Sequence, residues 1–154
     1  MKIFKLTISI IGIGFIIWFQ SCKQNEDPST QEILTNKIST SWTVGNNGSV
    51  MLDDNDVTSY FSDFNLTIFS DNTFTTTGNI SPSPWPLNGT WNYVKSSDGV
   101  VDLNKLVRDD GLIMTIELQN DSSLIISFMH DEAIHNTSRI QAITGEYVFN
   151  LLKK

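Results

Sequence analysis

Apolar and polar side chains alternate along four stretches of the chain. Phe64, Leu66 and Ile68 fall on one side while Asn65, Thr67 and Phe69 fall on the other. Leu112, Met114, Ile116 and Leu118 share a face, as do Leu124, Ile126 and Phe128, and then Tyr147, Phe149 and Leu151. A period of two puts successive side chains on opposite faces of an extended backbone, so each stretch predicts a half-buried β-strand. Turn-forming clusters lie between the apolar runs: Asp71-Asn72, Ser96 to Gly99, Asp109 to Gly111 and Asn120 to Ser123. Clusters of this kind close hairpins, which makes consecutive strands neighbours.

With Trp42 to Val44, Phe64 to Phe69, Thr73 to Gly78, Gly89 to Val94, Val100 to Leu103, Leu112 to Leu118, Leu124 to Met129 and Gly145 to Leu152, the count reaches about eight strands. One helix is predicted, ahead of the first strand. Ser29 followed by Glu32 has the spacing of a capping box, and Ile33, Leu34 and Ile38 then fall on one side of a helix. The predicted fold class is all-β: an eight-stranded antiparallel up-and-down barrel with one short N-terminal helix. Closure removes the free strand edges that would otherwise template aggregation. The competing architecture is a two-layer β-sandwich, which needs long crossovers; Gly45 to Asp63 and Asp131 to Thr144 are long enough to supply them.

The first residues follow a different pattern. Lys2 and Lys5 precede an uncharged, largely apolar run from Leu6 to Phe19, which stops at Gln20, Ser21 and Cys22. A spanning helix needs about 20 apolar residues to cross roughly 30 Å of hydrocarbon, so the run reads as the n- and h-regions of an export signal. The one cysteine of the chain follows directly. Phe19-Gln20-Ser21-Cys22 resembles a lipobox, with Phe and Gln in place of the usual leucine and small residue. That resemblance implies cleavage before Cys22 and acylation of its thiol and new amino group, each buried methylene contributing about 0.8 kcal/mol. The expected organisation is a lipoprotein signal peptide over 1–21, a lipidated tether and short helix over 22–40, and the barrel over 41–154.

Charge narrows the partners. Cleavage would remove two of the ten Lys and Arg against seventeen Asp and Glu, taking the formal charge from −7 to −9. No basic cluster offsets it, so nucleic acid is not an expected partner. With Cys22 acylated there is no thiol left for a disulfide, and stability has to come from apolar packing.

Three short motifs carry a family resemblance: Ser41-Trp42-Thr43-Val44 at the first strand, Asn88-Gly89-Thr90-Trp91 in mid-chain, and the closing Thr144-Gly145-Glu146-Tyr147-Val148-Phe149. Over most of the part beyond Cys22 the chain resembles the small lipocalin-like lipoproteins of Gram-negative envelopes. The resemblance implies a barrel whose first-strand tryptophan, here Trp42, lies across the closed end. Thr40 stands where lipocalins have glycine, and Arg139 precedes the last strand instead of following it, so no role is carried to Arg139. It also implies an outer-membrane lipoprotein, on the periplasmic face or at the cell surface. Lys23 with Glu26-Asp27 is similar to a short acidic surface-export tag, displaced by two residues.

Candidate chemistry is sparse. His130-Asp131-Glu132-Ala133-Ile134-His135 collects metal-ligand types, but a five-residue spacing sets the histidines about 140° apart on a helix and on opposite faces of a strand, leaving solvated residues at a barrel rim. Asp53, Asp54, Asn55 and Asp56 are similar to acidic calcium loops without the required glycine, and read as a polar turn. No phosphate loop, nucleophile elbow or zinc spacing occurs, so no catalytic residue, metal or cofactor is expected. Ile80 to Asn88 holds three of the four prolines, with Trp85 between Pro84 and Pro86. The indole there is either a rigid contact surface or a plug folded into one end.

The leading expectation is a non-catalytic barrel holding a small, largely apolar ligand, in a cavity open at one end and lined by Trp85, Phe74, Trp91, Phe128 and Tyr147. Its rival is a protein-interaction module, an envelope inhibitor or adhesion component, with a solid barrel and working loops.

Overall fold

The computed structural model describes residues 28–78, 83–131 and 144–154. The signal run, Cys22 and the Lys23 to Asp27 segment lie outside the described residues, as do Ile80, Pro82, Glu132, His135 and Arg139.

Helix α1 (Thr30–Ile38) starts where the capping box places it. The Ser29 side chain accepts from the Glu32 N–H, and the Glu32 carboxylate accepts from the Ser29 N–H, so two orphan donors of the first turn are satisfied reciprocally. Ile38 is buried and Leu34 packs on the core, but Ile33 is exposed, so the apolar side of the helix is narrower than expected.

The strands are β1 (Ser41–Thr43), β2 (Ser49–Leu52), β3 (Asn55–Asp56), β4 (Asn65–Ile68), β5 (Thr73–Thr77), β6 (Asn88–Lys95), β7 (Val101–Arg108), β8 (Ile113–Asn120), β9 (Ser123–His130) and β10 (Gly145–Lys153). Eight of them, β1 and β4 through β10, pair antiparallel in sequence order, and β1 pairs back onto β10 to close the barrel. β9 and β10, the strands on either side of 131–144, are direct antiparallel neighbours and so do not belong to two separate layers.

The other supposed crossover is a correction as well. Gly45 to Asp63 holds the β2–β3 hairpin and a single 3-10 turn, Thr58–Phe61. β2 pairs with β10 from Tyr147↔Leu52 to Asn150↔Ser49, just beyond the point where β1 pairs at Thr43↔Leu152. β1 and β2 are therefore one strand interrupted by the Val44 to Gly48 loop. Asp53 and Asp54 both have positive φ, 46° and 62°, the pattern of a two-residue type I′ turn. The expected polar turn is thus the tip of a hairpin.

β7 is longer than expected, running to Arg108. Tyr93↔Leu106 is followed by Val94↔Asp102, so residues 103–105 bulge out of β7. That breaks the sequence alternation and hides the second half of the strand.

The barrel has two different ends. α1, the β6–β7 turn and the β8–β9 turn gather at one, where Lys37 bridges to Asp121 at 3.0 Å. Trp42 is fully buried there and its indole N–H donates to the Ile38 carbonyl at 2.9 Å, fastening helix to barrel. The Asp53-Asp54 turn, the segment carrying Trp85 and the β7–β8 turn gather at the other. Among the described residues no helix is long and apolar enough to cross a membrane.

Candidate functional site

Ser83 to Leu87 enters the barrel from the loop end and leads into β6. The Ser83 hydroxyl accepts from the Trp85 N–H at 3.0 Å, the Thr76 hydroxyl donates to the Pro86 carbonyl at 2.7 Å, and the Thr76 N–H donates to the Leu87 carbonyl at 2.8 Å. Held this way, Trp85 turns inward and is 3% exposed. Its ring centroid lies 5.9 Å from Phe64, 5.9 Å from Phe74, 5.5 Å from Phe128 and 5.9 Å from Phe149, the last three edge to face. Edge-to-face packing brings the positive rim of one ring to the negative face of the next. Of the two readings open for this indole, the inward plug is the one adopted.

Arg108 completes the plug and was missed by sequence reasoning. It is 4% exposed; Nη1 donates to the Pro84 carbonyl at 3.0 Å, the guanidinium lies over the Trp85 ring, and Nε and Nη2 grip the two oxygens of the Asp110 carboxylate. The hydrogen bonds from Arg108 hold the Asp110 carboxyl below its usual range. Two signals pointed to it: Arg108 shares a strand face with Leu106, and two aspartates follow at once.

The five residues expected to line a ligand cavity are all buried, and four meet in one cluster. Phe128 stacks on Tyr147 at 5.7 Å and on Phe149 at 5.9 Å, beside Trp85 and Phe74. Trp91 stands apart from them, edge-on to Tyr93 at 5.5 Å with its indole N–H on the Thr73 carbonyl. Between the two groups, bounded by Trp85, Phe74, Trp91, Met114 and Ile126, is a void of about 10 Å³, the room of a single water, with no polar lining to hold one. Among the described residues two of the rings expected to line the cavity, Phe74 and Phe128, pack directly on Trp85, because a coil segment supplies an indole that the strands alone would not.

His130 also departs from expectation. The sequence predicts a solvated rim residue, yet His130 is 4% exposed and packs against Tyr147. Burial, and after it the Asp53 carboxylate, pushes the Tyr147 hydroxyl up to about 12. The calcium-like run spends its oxygens on backbone: Asp53 accepts from the Glu146 N–H at 2.8 Å and Asp56 from the Thr58 N–H at 2.9 Å. Gly145 permits this approach, since a Cβ there would lie 2.6 Å from the Asp53 carboxylate. No group of three or more metal-ligating side chains occurs among the described residues.

A groove of about 450 Å³ lies on the outside, between the first turn of α1 and β6. Gln31 and Asn72 rim it, Tyr93, Val94 and Lys95 form one wall, and Val107 and Ile113 extend it across the sheet through the pairs Asn92↔Val107 and Val107↔Ile113. Ile113 is 54% exposed. Comparison with family models, curated proteins and solved structures finds no match for this chain.

Proposed function

We propose that the chain is a non-catalytic lipoprotein of the cell envelope, acylated at Cys22, whose barrel serves as a protein-interaction module. The packing of Trp85 among the aromatic rings of the barrel core, in the described residues, is the observation that supports this reading. A ligand carrier needs a chamber of a few hundred Å³, whereas the void that the described residues leave beneath Trp85 is about 10 Å³. The working surface is then the outside, where the groove beside β6 joins apolar side chains to polar rims in the manner of a contact site. Attachment through Cys22, in the outer membrane, holds the module at a bilayer surface while the polar stretch from Lys23 to Thr30 gives it reach.

The test is native mass spectrometry of the protein extracted from envelope in mild detergent. A protein partner at fixed stoichiometry, together with a lipid-sized mass increment that Cys22→Ser abolishes, is the expected result. A stoichiometric small molecule in place of a protein overturns it. Such a result would favour the second reading, a carrier of a small, largely apolar ligand, for which the aromatic box around Trp85 is the specific support: a flat apolar molecule could take the place of the indole.

A further inference from the structure

The wall of the groove is a strand edge to which no described residue is paired. Backbone bonds along β6 show which way each residue points. The Asp109 N–H donates to the Thr90 carbonyl and the Ser96 N–H donates to the Val100 carbonyl, so Thr90 and Ser96 turn their polar groups toward β7. The Trp91 N–H donates the other way, to the Asn72 carbonyl. Antiparallel pairing alternates between bonded and non-bonded residues; Tyr93↔Leu106 and Lys95↔Val101 are the non-bonded pairs in this sequence. Tyr93 and Lys95 therefore direct N–H and C=O toward the β5 side. β5 does not reach them, because its pairing with β6 stops at Thr73↔Thr90.

α1 stands in the place where β5 ends. The hydroxyls of Thr35 and Tyr93 meet at 3.2 Å, and Gln31 forms the far side of the groove. A helix cannot satisfy a strand edge, so the ladder groups of Tyr93 and Lys95 face into the groove, flanked by Val94, Val107 and Ile113. An added strand is the partner that answers such a row.

Charge selects among the strands that could add. Among the described residues Lys95 is the only charged one lining the groove, on a chain that carries an excess of carboxylates. Two copies of this chain joined edge to edge would bring their Lys95 ammonium groups together, which disfavours self-pairing. A segment carrying a carboxylate opposite Lys95 gains instead.

We propose that the groove between α1 and β6 binds an extended segment of a partner protein, added as a strand to the Tyr93–Lys95 edge, with an acidic side chain set against Lys95 and apolar ones on Val107 and Ile113. The proposal rests on the interaction-module reading and names where and how contact is made.

The test pans the full chain, in detergent, against displayed short peptides, then titrates the selected synthetic peptides. Selected sequences are expected to alternate apolar with acidic residues, and binding is expected to slow hydrogen exchange at the Tyr93 and Lys95 amides. Lys95→Glu and Lys95→Pro are each expected to weaken binding by about tenfold or more, the second because it removes an edge donor without touching the β7 ladder. Lys153→Glu, an exposed charge on β10, four strands round the barrel from β6, should leave binding unchanged. Lys95→Glu keeps the backbone intact and decides the matter where the proline variant does not fold. Peptides insensitive to both Lys95 changes, no selected peptides at all, or a peptide-free dimer abolished by Lys95→Glu would overturn the proposal. A stoichiometric envelope protein cross-linked only at other faces also overturns this edge, yet leaves the interaction module standing.

Discussion

The guanidinium of Arg108 stands 5.4 Å from the centroid of the Trp85 indole and bonds the carbonyl of Pro84, the residue before it. A buried cation thus caps an indole that a coil segment carries into the barrel. Its charge is answered by Asp110 just outside, whose side chain is about half exposed.

Removing the indole should open the core. Trp85→Ala deletes the side chain that contacts Phe64, Phe74, Phe128 and Phe149, and large-to-small changes of this type cost about 3–5 kcal/mol. Urea unfolding followed by far-UV circular dichroism checks the value, with Trp85→Phe expected to cost less. A loss below about 1 kcal/mol would mean that the segment does not fill the barrel in solution.

Asp110 should matter more than an ordinary turn residue. Asp110→Ala leaves Arg108 charged and buried without its carboxylate, and hydrogen bonds to charged groups contribute about 1.5–3 kcal/mol, reduced here because water reaches one side of Asp110. The acid limb follows the same pair. The folded pKa of Asp110 is depressed, so its contribution is present above the ordinary carboxylate range and is lost as pH falls through the lowered value. Thermal melts at falling pH should show a shallower acid limb in Asp110→Ala than in the parent.

Gly89 is fixed by a ring. It pairs with Phe74, and a Cβ added there would lie 2.9 Å from two atoms of the Phe74 ring. Gly89→Ala should destabilise by about 1–3 kcal/mol, the range of core overpacking. A parallel loss of near-ultraviolet circular dichroism would trace the effect to the displaced ring and its neighbour Trp85.

Tyr147 predicts an alkaline limb. Its hydroxyl ionises at about 12 in the fold against 10.0 for the free group, so the stability linked to it is intact below pH 10 and lost as pH rises toward 12. Two pKa units correspond to about 2–3 kcal/mol. Spectrophotometric titration of tyrosinate, compared with Tyr147→Phe, measures the shift, and a folded protein whose three tyrosines all ionise near 10 would refute it.

Local pattern determined the barrel strands, the hairpin turns between them and the start of α1, because alternation, turn residues and the Ser29–Glu32 box act within a few residues. The register and the closing β1–β10 pair belong to the tertiary structure. So does the β2–β3 hairpin, too short to show a period in Gly45 to Asp63. The place of Trp85 was decided there as well. Trp85 sits in coil between prolines, where no periodicity assigns a side chain to inside or outside, and only the joint hold of Arg108, Thr76 and four aromatic rings turns it inward. The open edge at Tyr93 and Lys95 has the same origin: it exists because β5 stops at Thr73 while β6 runs on, a difference of length visible only once the strands are side by side.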